Sequence, residues 1–74
     1  LNIYETAEVA RLICTIRDMG ITVLLVEHDM SLVMDISDEI VVLSFGSKLA
    51  EDTPINIQKN EEVIKIYLGE DEAA

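Results

Sequence analysis

From Ile3 to Met19 the apolar residues Val9, Leu12, Ile13, Ile16 and Met19 recur at three- and four-residue steps, with Arg11, Thr15 and Asp18 on the opposite side. That spacing predicts an amphipathic helix with one apolar stripe. Asn2 and Glu5 have the spacing of a capping box, in which Asn2 accepts from an early backbone N–H and Glu5 reaches back. Gly20 follows the last periodic residue, where glycine alone adopts a left-handed cap cheaply. The pattern then changes. Ile21 to Val26 is nearly continuous in apolar residues and does not alternate. A strand without a polar face is covered on both sides, as in a parallel sheet flanked by helices. With the preceding helix it reads as the second half of a βαβ unit whose first strand is absent from the chain.

After Val26 the sequence turns polar at Glu27-His28-Asp29. Asp29 suits the cap of a short helix carrying Leu32, Val33 and Ile36, which fades around Ser37-Asp38. Ile40–Phe45 and Lys48–Asp52 read as two strands joined at Gly46-Ser47, a two-residue hairpin signal. Thr53-Pro54 fits an N-cap with proline at the first helical position, opening a short helix to about Gln58. Asn60 caps the last helix, where Val63, Ile64, Ile66, Tyr67 and Leu68 cover more than half the circumference before Gly69. The order is helix, buried parallel-type strand, short helix, β-hairpin and C-terminal helices. Residues 1–69 therefore read as the trailing portion of a larger, incomplete α/β domain, and residues 70–74 as a solvated acidic tail.

Composition narrows the function. Fifteen Asp and Glu against five Lys and Arg give a net charge of −10, the wrong sign for displacing counterions from nucleic-acid phosphates. With 50% hydrophobic residues the chain is not of the disordered class. The apolar runs fall far short of the roughly 20 residues that cross a bilayer, and no secretory leader is expected. A single cysteine, Cys14, makes no internal disulfide and fits a reducing, cytoplasmic setting. Cys14 and His28 are too few for a structural zinc site, which takes about four ligands. A chain of 74 residues is marginal as a domain even when complete. It also opens on Leu1 at a helix start, which suits a piece of a longer protein.

In open α/β sheets, ligands bind beyond the carboxyl ends of the parallel strands. Glu27-His28-Asp29 occupies such an end, and His28 is the lone histidine. Its imidazole can donate to a phosphate oxygen or a water, or shuttle a proton. A plain alternative is that it hydrogen-bonds within a loop or caps the following helix. A metal site is not expected, because three consecutive residues leaving a strand point in different directions. Cys14 reads as a half-buried thiol, Met30 and Met34 as packing residues, and Glu61-Glu62 as charges favoured by a helix dipole. The 74 residues contain neither a G-x-x-x-x-G-K-[ST] loop nor a G-x-S-x-G elbow. Catalysis by the isolated chain is not expected.

The run Gly20-Ile21-Thr22-Val23-Leu24-Leu25-Val26-Glu27-His28-Asp29-Met30 resembles the switch-histidine segment of ABC-transporter ATP-binding subunits, which are P-loop NTPases. Leu32 to Asp38 and Ile40 to Leu43 resemble the helix and hairpin that follow it. Leu49-Ala50-Glu51, Thr53-Pro54, Ile57-Gln58, Val63-Ile64 and Tyr67-Leu68-Gly69-Glu70 resemble one branch, the ATPases of branched-chain amino-acid importers. The likeness covers almost the whole chain.

The resemblance implies a subunit that pairs with a second ATP-binding subunit around ATP and Mg2+ and works with transmembrane permease subunits. It sits peripherally on the cytoplasmic face of the inner membrane. His28 takes the family's place at the γ-phosphate, helping to position the hydrolytic water. Asn2 falls at the end of the D-loop, which lies at the dimer interface, where many relatives carry Asp. The phosphate-binding loop, signature loop and Walker B strand with its catalytic glutamate would precede Leu1, and Glu27 does not replace that glutamate. Asp52 stands where relatives often have glycine, altering the exit from the hairpin. The isolated chain is expected to bind no ATP and to self-associate. A free-standing acidic α/β interaction module is the alternative reading, motivated by the broad apolar arc of the last helix.

Overall fold

The computed structural model describes residues 2–69, so the acidic run 70–74 and Leu1 lie outside the described residues. The chain is α/β, built from helices and one two-stranded antiparallel sheet. It divides into two compact units, Leu1–Ile36 and Ser37–Ala74.

In the first unit, helix α1 spans Ile3–Asp18. Its capping box is formed: Asn2 Oδ1 accepts from the N–H groups of Tyr4 and Glu5 at 3.0 and 2.9 Å, and Glu5 Oε1 accepts from the Asn2 N–H at 3.3 Å. These bonds satisfy donors that the first helical turn leaves orphaned. At the other end the Gly20 N–H reaches the Arg17 carbonyl at 2.9 Å, with Gly20 at φ +88°. The periodic stripe thus folds as expected, yet none of α1 is fully buried, and Leu12 and Met19 are exposed.

The expected strand over Ile21–Val26 is not formed. Residues 21–29 belong to no helix or strand, and Leu24 and Val26 are 90% and 87% exposed. The reason is pairing. A strand apolar on both faces needs ladder partners on its edges, and the two strands among the described residues pair with each other. Helix α2, Met30–Ile36, follows and buries Leu32 and Ile36. Asp29 starts it as expected, its Oδ1 accepting from the Leu32 N–H at 3.2 Å. Arg17 Nη1 donates to the Ile36 carbonyl at 3.1 Å, placing a cation at the C-terminal end of α2, where the helix dipole favours it.

In the second unit, β1 (Ile40–Ser44) pairs antiparallel with β2 (Ser47–Asp52). The turn is Phe45-Gly46, one residue earlier than expected, with φ +51° and +77°. Two successive positive φ values match the right-handed strand twist, so the turn falls where both are adopted, even though Phe45 bears the steric cost of its Cβ. The register shifts between Val42 and Leu43, pairing Val42 with Ala50 but Leu43 with Lys48, so Leu49 is the extra residue of a bulge. Helix α3 (Pro54–Lys59) is capped by Thr53 and helix α4 (Glu61–Val63) by Asn60, whose Oδ1 accepts from Glu62 and Val63 at 2.9 and 3.2 Å. Both pack on β2, and Ile57 and Val63 are 1% and 0% exposed; Ile40 and Val42 of β1 are also buried. The chain then widens into a π-helix, Ile64–Gly69, in place of the plain α-helix expected. The Tyr67 hydroxyl donates to the Leu43 carbonyl, tying this segment to the outer part of β1.

Candidate functional site

Glu27, His28 and Asp29 lie where the apolar segment gives way to α2, and each does something different. Asp29 faces forward and caps α2 through Leu32. Glu27 folds back on the turn: its Oε1 accepts from the backbone N–H of His28 at 2.9 Å and from that of Asp29 at 3.4 Å. The carboxylate therefore bonds to two successive amides that have no helical or ladder partner of their own. Charge-assisted bonds of this kind are stronger than neutral ones, so they define the local course of the backbone.

His28 is left with its side chain fully exposed. The oxygen of Glu27 that holds the turn is also 3.8 Å from His28 Nε2, beyond hydrogen-bond range. The imidazole is thus presented to solvent with no direct hydrogen bond holding it down, and both ring nitrogens can meet an incoming acceptor or donor. Of the two plain alternatives, a hydrogen bond within the loop or a cap on the next helix, the cap is taken by Asp29. Among the described residues no group of three His, Cys, Asp or Glu side chains could hold a metal ion. Cys14 is a half-buried free thiol.

Asn2, the other residue singled out in the sequence, is engaged locally. Its side-chain carbonyl is occupied by the amides of Tyr4 and Glu5, which leaves the Nδ2 amide as the group able to reach outward. No hydrogen bond or ion pair among the described residues joins Asn2 to His28. The backbone-holding role of Glu27 was not read from the sequence, although a carboxylate next to the histidine at a segment end is a visible signal for it.

A family model described as "Branched-chain amino acid ATP-binding cassette transporter" matches residues 47–73. The high-affinity branched-chain amino acid transport ATP-binding protein BraF of Pseudomonas aeruginosa is 54% identical over 71 residues, which is 95% of this chain and 28% of that protein. The corresponding LivG protein of Escherichia coli strain K12 is 51% identical over the same shares. The lipopolysaccharide export system ATP-binding protein LptB of E. coli is 33% identical over 64 residues, 86% of this chain and 27% of its own length. The chain therefore spans less than a third of the length of these relatives. No solved structure matches. Over the stretch it covers, the chain is similar to the C-terminal region of the ATP-binding proteins of branched-chain amino acid ABC transporters.

Proposed function

We propose that this chain is the C-terminal part of the ATP-hydrolysing subunit that powers ABC-type import of branched-chain amino acids, and that His28 contacts the terminal phosphate of the nucleotide. The observation that carries the reading is the 51–54% identity to branched-chain transport ATP-binding proteins across 95% of the chain. The lower identity to a lipopolysaccharide export protein supports the amino-acid branch within the family. A free-standing interaction module is not favoured by matches of this extent.

The residues present fit only one part of a nucleotide site. A solvent-facing imidazole can donate one hydrogen bond to a phosphoryl oxygen and orient a water beside it. The described residues offer no cluster for a divalent cation, and the 74 residues contain no phosphate-binding loop. The nucleotide and its Mg2+ would be held by residues of the longer protein, and no step at the metal is assigned to this chain. Bound ATP would supply the phosphoanhydride bond whose hydrolysis releases free energy. On this reading, residues 21–26 take their place as a strand of a parallel sheet in the complete ATPase domain, which explains an apolar stretch left exposed here. Asn2 faces a second ATP-binding subunit through its Nδ2 amide. No helix among the described residues is long and apolar enough to cross a membrane. The proposed setting is peripheral, against permease subunits on the cytoplasmic face of the inner membrane.

The test replaces His28 by Ala in the full-length ATP-binding protein and measures steady-state ATP hydrolysis. Turnover is expected to fall on the order of a hundredfold, the scale of a lost hydrogen-bonding or proton-transferring group in the transition state. Unchanged turnover would remove His28 from the site.

A further inference from the structure

We infer that Glu27 is a positioning residue for His28, a role that rests on the proposed placement of His28 at the terminal phosphate. The inference starts from the geometry of the turn. The His28 side chain is fully exposed, so nothing packed around the ring aims it. The backbone that carries it sets where the side chain starts, and so which rotamers reach the phosphate. That backbone is fixed from two sides. Asp29 binds the start of α2 through the Leu32 N–H at 3.2 Å, and the Asp29 carbonyl accepts from the Val33 N–H at 3.1 Å. On the other side, Glu27 Oε1 takes the amides of His28 and Asp29 together, at 2.9 and 3.4 Å.

Without the Glu27 carboxylate those two amides lose the acceptor that holds them in the turn. The φ and ψ angles of His28 would then be held only from the α2 side. Catalytic groups misplaced by about 1 Å lose roughly a hundredfold in rate, so backbone control of a single histidine matters even though its ring makes no hydrogen bond to Glu27, whose Oε1 lies 3.8 Å from Nε2. Glu27 acts on the reaction through His28 and touches no reacting atom. What it contributes is an acceptor oxygen at the correct reach. Gln keeps an acceptor oxygen at the same distance from the backbone, whereas Leu keeps the bulk and removes the acceptor.

The experiment uses the full-length ATP-binding protein and compares wild type, Glu27→Gln, Glu27→Leu, His28→Ala and the double variant Glu27→Leu/His28→Ala. The readouts are single-turnover ATP hydrolysis, KM for ATP and thermal unfolding. Glu27→Leu is expected to lower kcat roughly tenfold, the scale of one lost charge-assisted hydrogen bond, with KM little changed. Glu27→Gln should recover most of that loss. In the His28→Ala background the Glu27→Leu change should have no further effect on turnover, because a residue that acts through the histidine has nothing left to position. The inference is overturned if Glu27→Leu keeps full turnover, if Gln fails to restore it, or if the loss persists undiminished in the His28→Ala background. Should Glu27→Leu not fold, backbone amide exchange at His28 in Glu27→Gln decides: protection like wild type supports the acceptor role, and loss of protection refutes it. Unchanged turnover in His28→Ala would instead overturn the placement of the histidine, a failure distinct from that of Glu27.

Discussion

The two units use the same local grammar and reach different degrees of burial. In the second, α3 and α4 pack on β2, and Ile57 and Val63 leave almost no surface to water. In the first, α1 has a complete capping box and a regular apolar stripe, yet no residue of it is buried, and Leu24 and Val26 stand nearly bare. The contrast separates two contributions to structure. Caps and turns are satisfied by neighbours in sequence, and both units have them. Burial of a stripe or a strand needs a facing surface, and within this chain the hairpin supplies one for α3 and α4, while residues 21–26 find none.

The contrast breaks first, and by the largest margin, at a pair of apolar substitutions. Ile57→Ala should cost about 2–5 kcal/mol of unfolding free energy, the usual range for emptying a filled core position. Leu24→Ser should cost less than about 0.5 kcal/mol, as expected of a surface position with no special contact. Urea unfolding of the two variants beside the parent chain gives both values. A large cost at Leu24 would mean that the exposed apolar segment is covered in solution and that the difference between the units is smaller than their exposures suggest.

A second pair sharpens the comparison with like chemistry on both sides. Asn2 and Asn60 each accept two amides at a helix start, with distances between 2.9 and 3.2 Å. Alanine at either should cost about 1 kcal/mol locally. At Asn60 the loss should appear in global unfolding, because α4 carries the fully buried Val63. At Asn2 it should appear as faster amide exchange at Tyr4 and Glu5 with the second unit unmoved. Equal global destabilisation by both would show that α1 folds together with the second unit as one cooperative body.

What the sequence made legible follows the same division. The capping box at Asn2 and Glu5, the Asp29 start of α2, the Thr53-Pro54 opening of α3 and the Asn60 cap all stand where residue types within a few positions dictate them. The hairpin was legible, but its turn lies one residue early because Phe45, a residue with no special taste for positive φ, takes the left-handed conformation beside Gly46. The bulge at Leu49 and the π-helical widening after Val63 left no mark in the periodicity, since both arise from how the segment meets its neighbours. The strand over residues 21–26 failed for the converse reason. Its composition specifies a fully covered strand, and composition cannot provide the cover. At the candidate site, the end of the apolar run singled out His28 for attention, while the grip of Glu27 on the two amides depends on side-chain direction and emerged only in the structure.

The smallest effect lies at the surface of the second unit and is a matter of pH. The Asn56 side-chain amide donates to Asp52 Oδ1 at 2.9 Å and the Thr53 N–H donates to the same oxygen at 2.8 Å. The Asn56 bond first, and the backbone bond second, hold the Asp52 carboxyl below the ordinary aspartate range. A group whose pKa is lowered on folding stabilises the fold above its unfolded value, and that contribution is lost as pH falls through the folded value. Lys48 behaves in mirror image. Its hydrogen bond to Glu51 at 2.8 Å, and then the Glu51 charge, raise its pKa, so its contribution is present below the ordinary lysine range and fades as pH rises through the folded value. Both sites are on the surface, where salt screens charge, so the Lys48 effect should shrink at high ionic strength. The Asp52 effect should persist better, because its partners are neutral donors. Replacing Asp52 by Gly removes this carboxylate's share of the acid-side dependence and leaves that of Glu51, whose pKa its hydrogen bond to Lys48 also lowers, so the gap between the denaturant midpoints of Asp52→Gly and the parent should narrow as pH falls through the carboxylate range. Curves that stay parallel throughout would show that the carboxylate does not join the hairpin exit to α3 in solution.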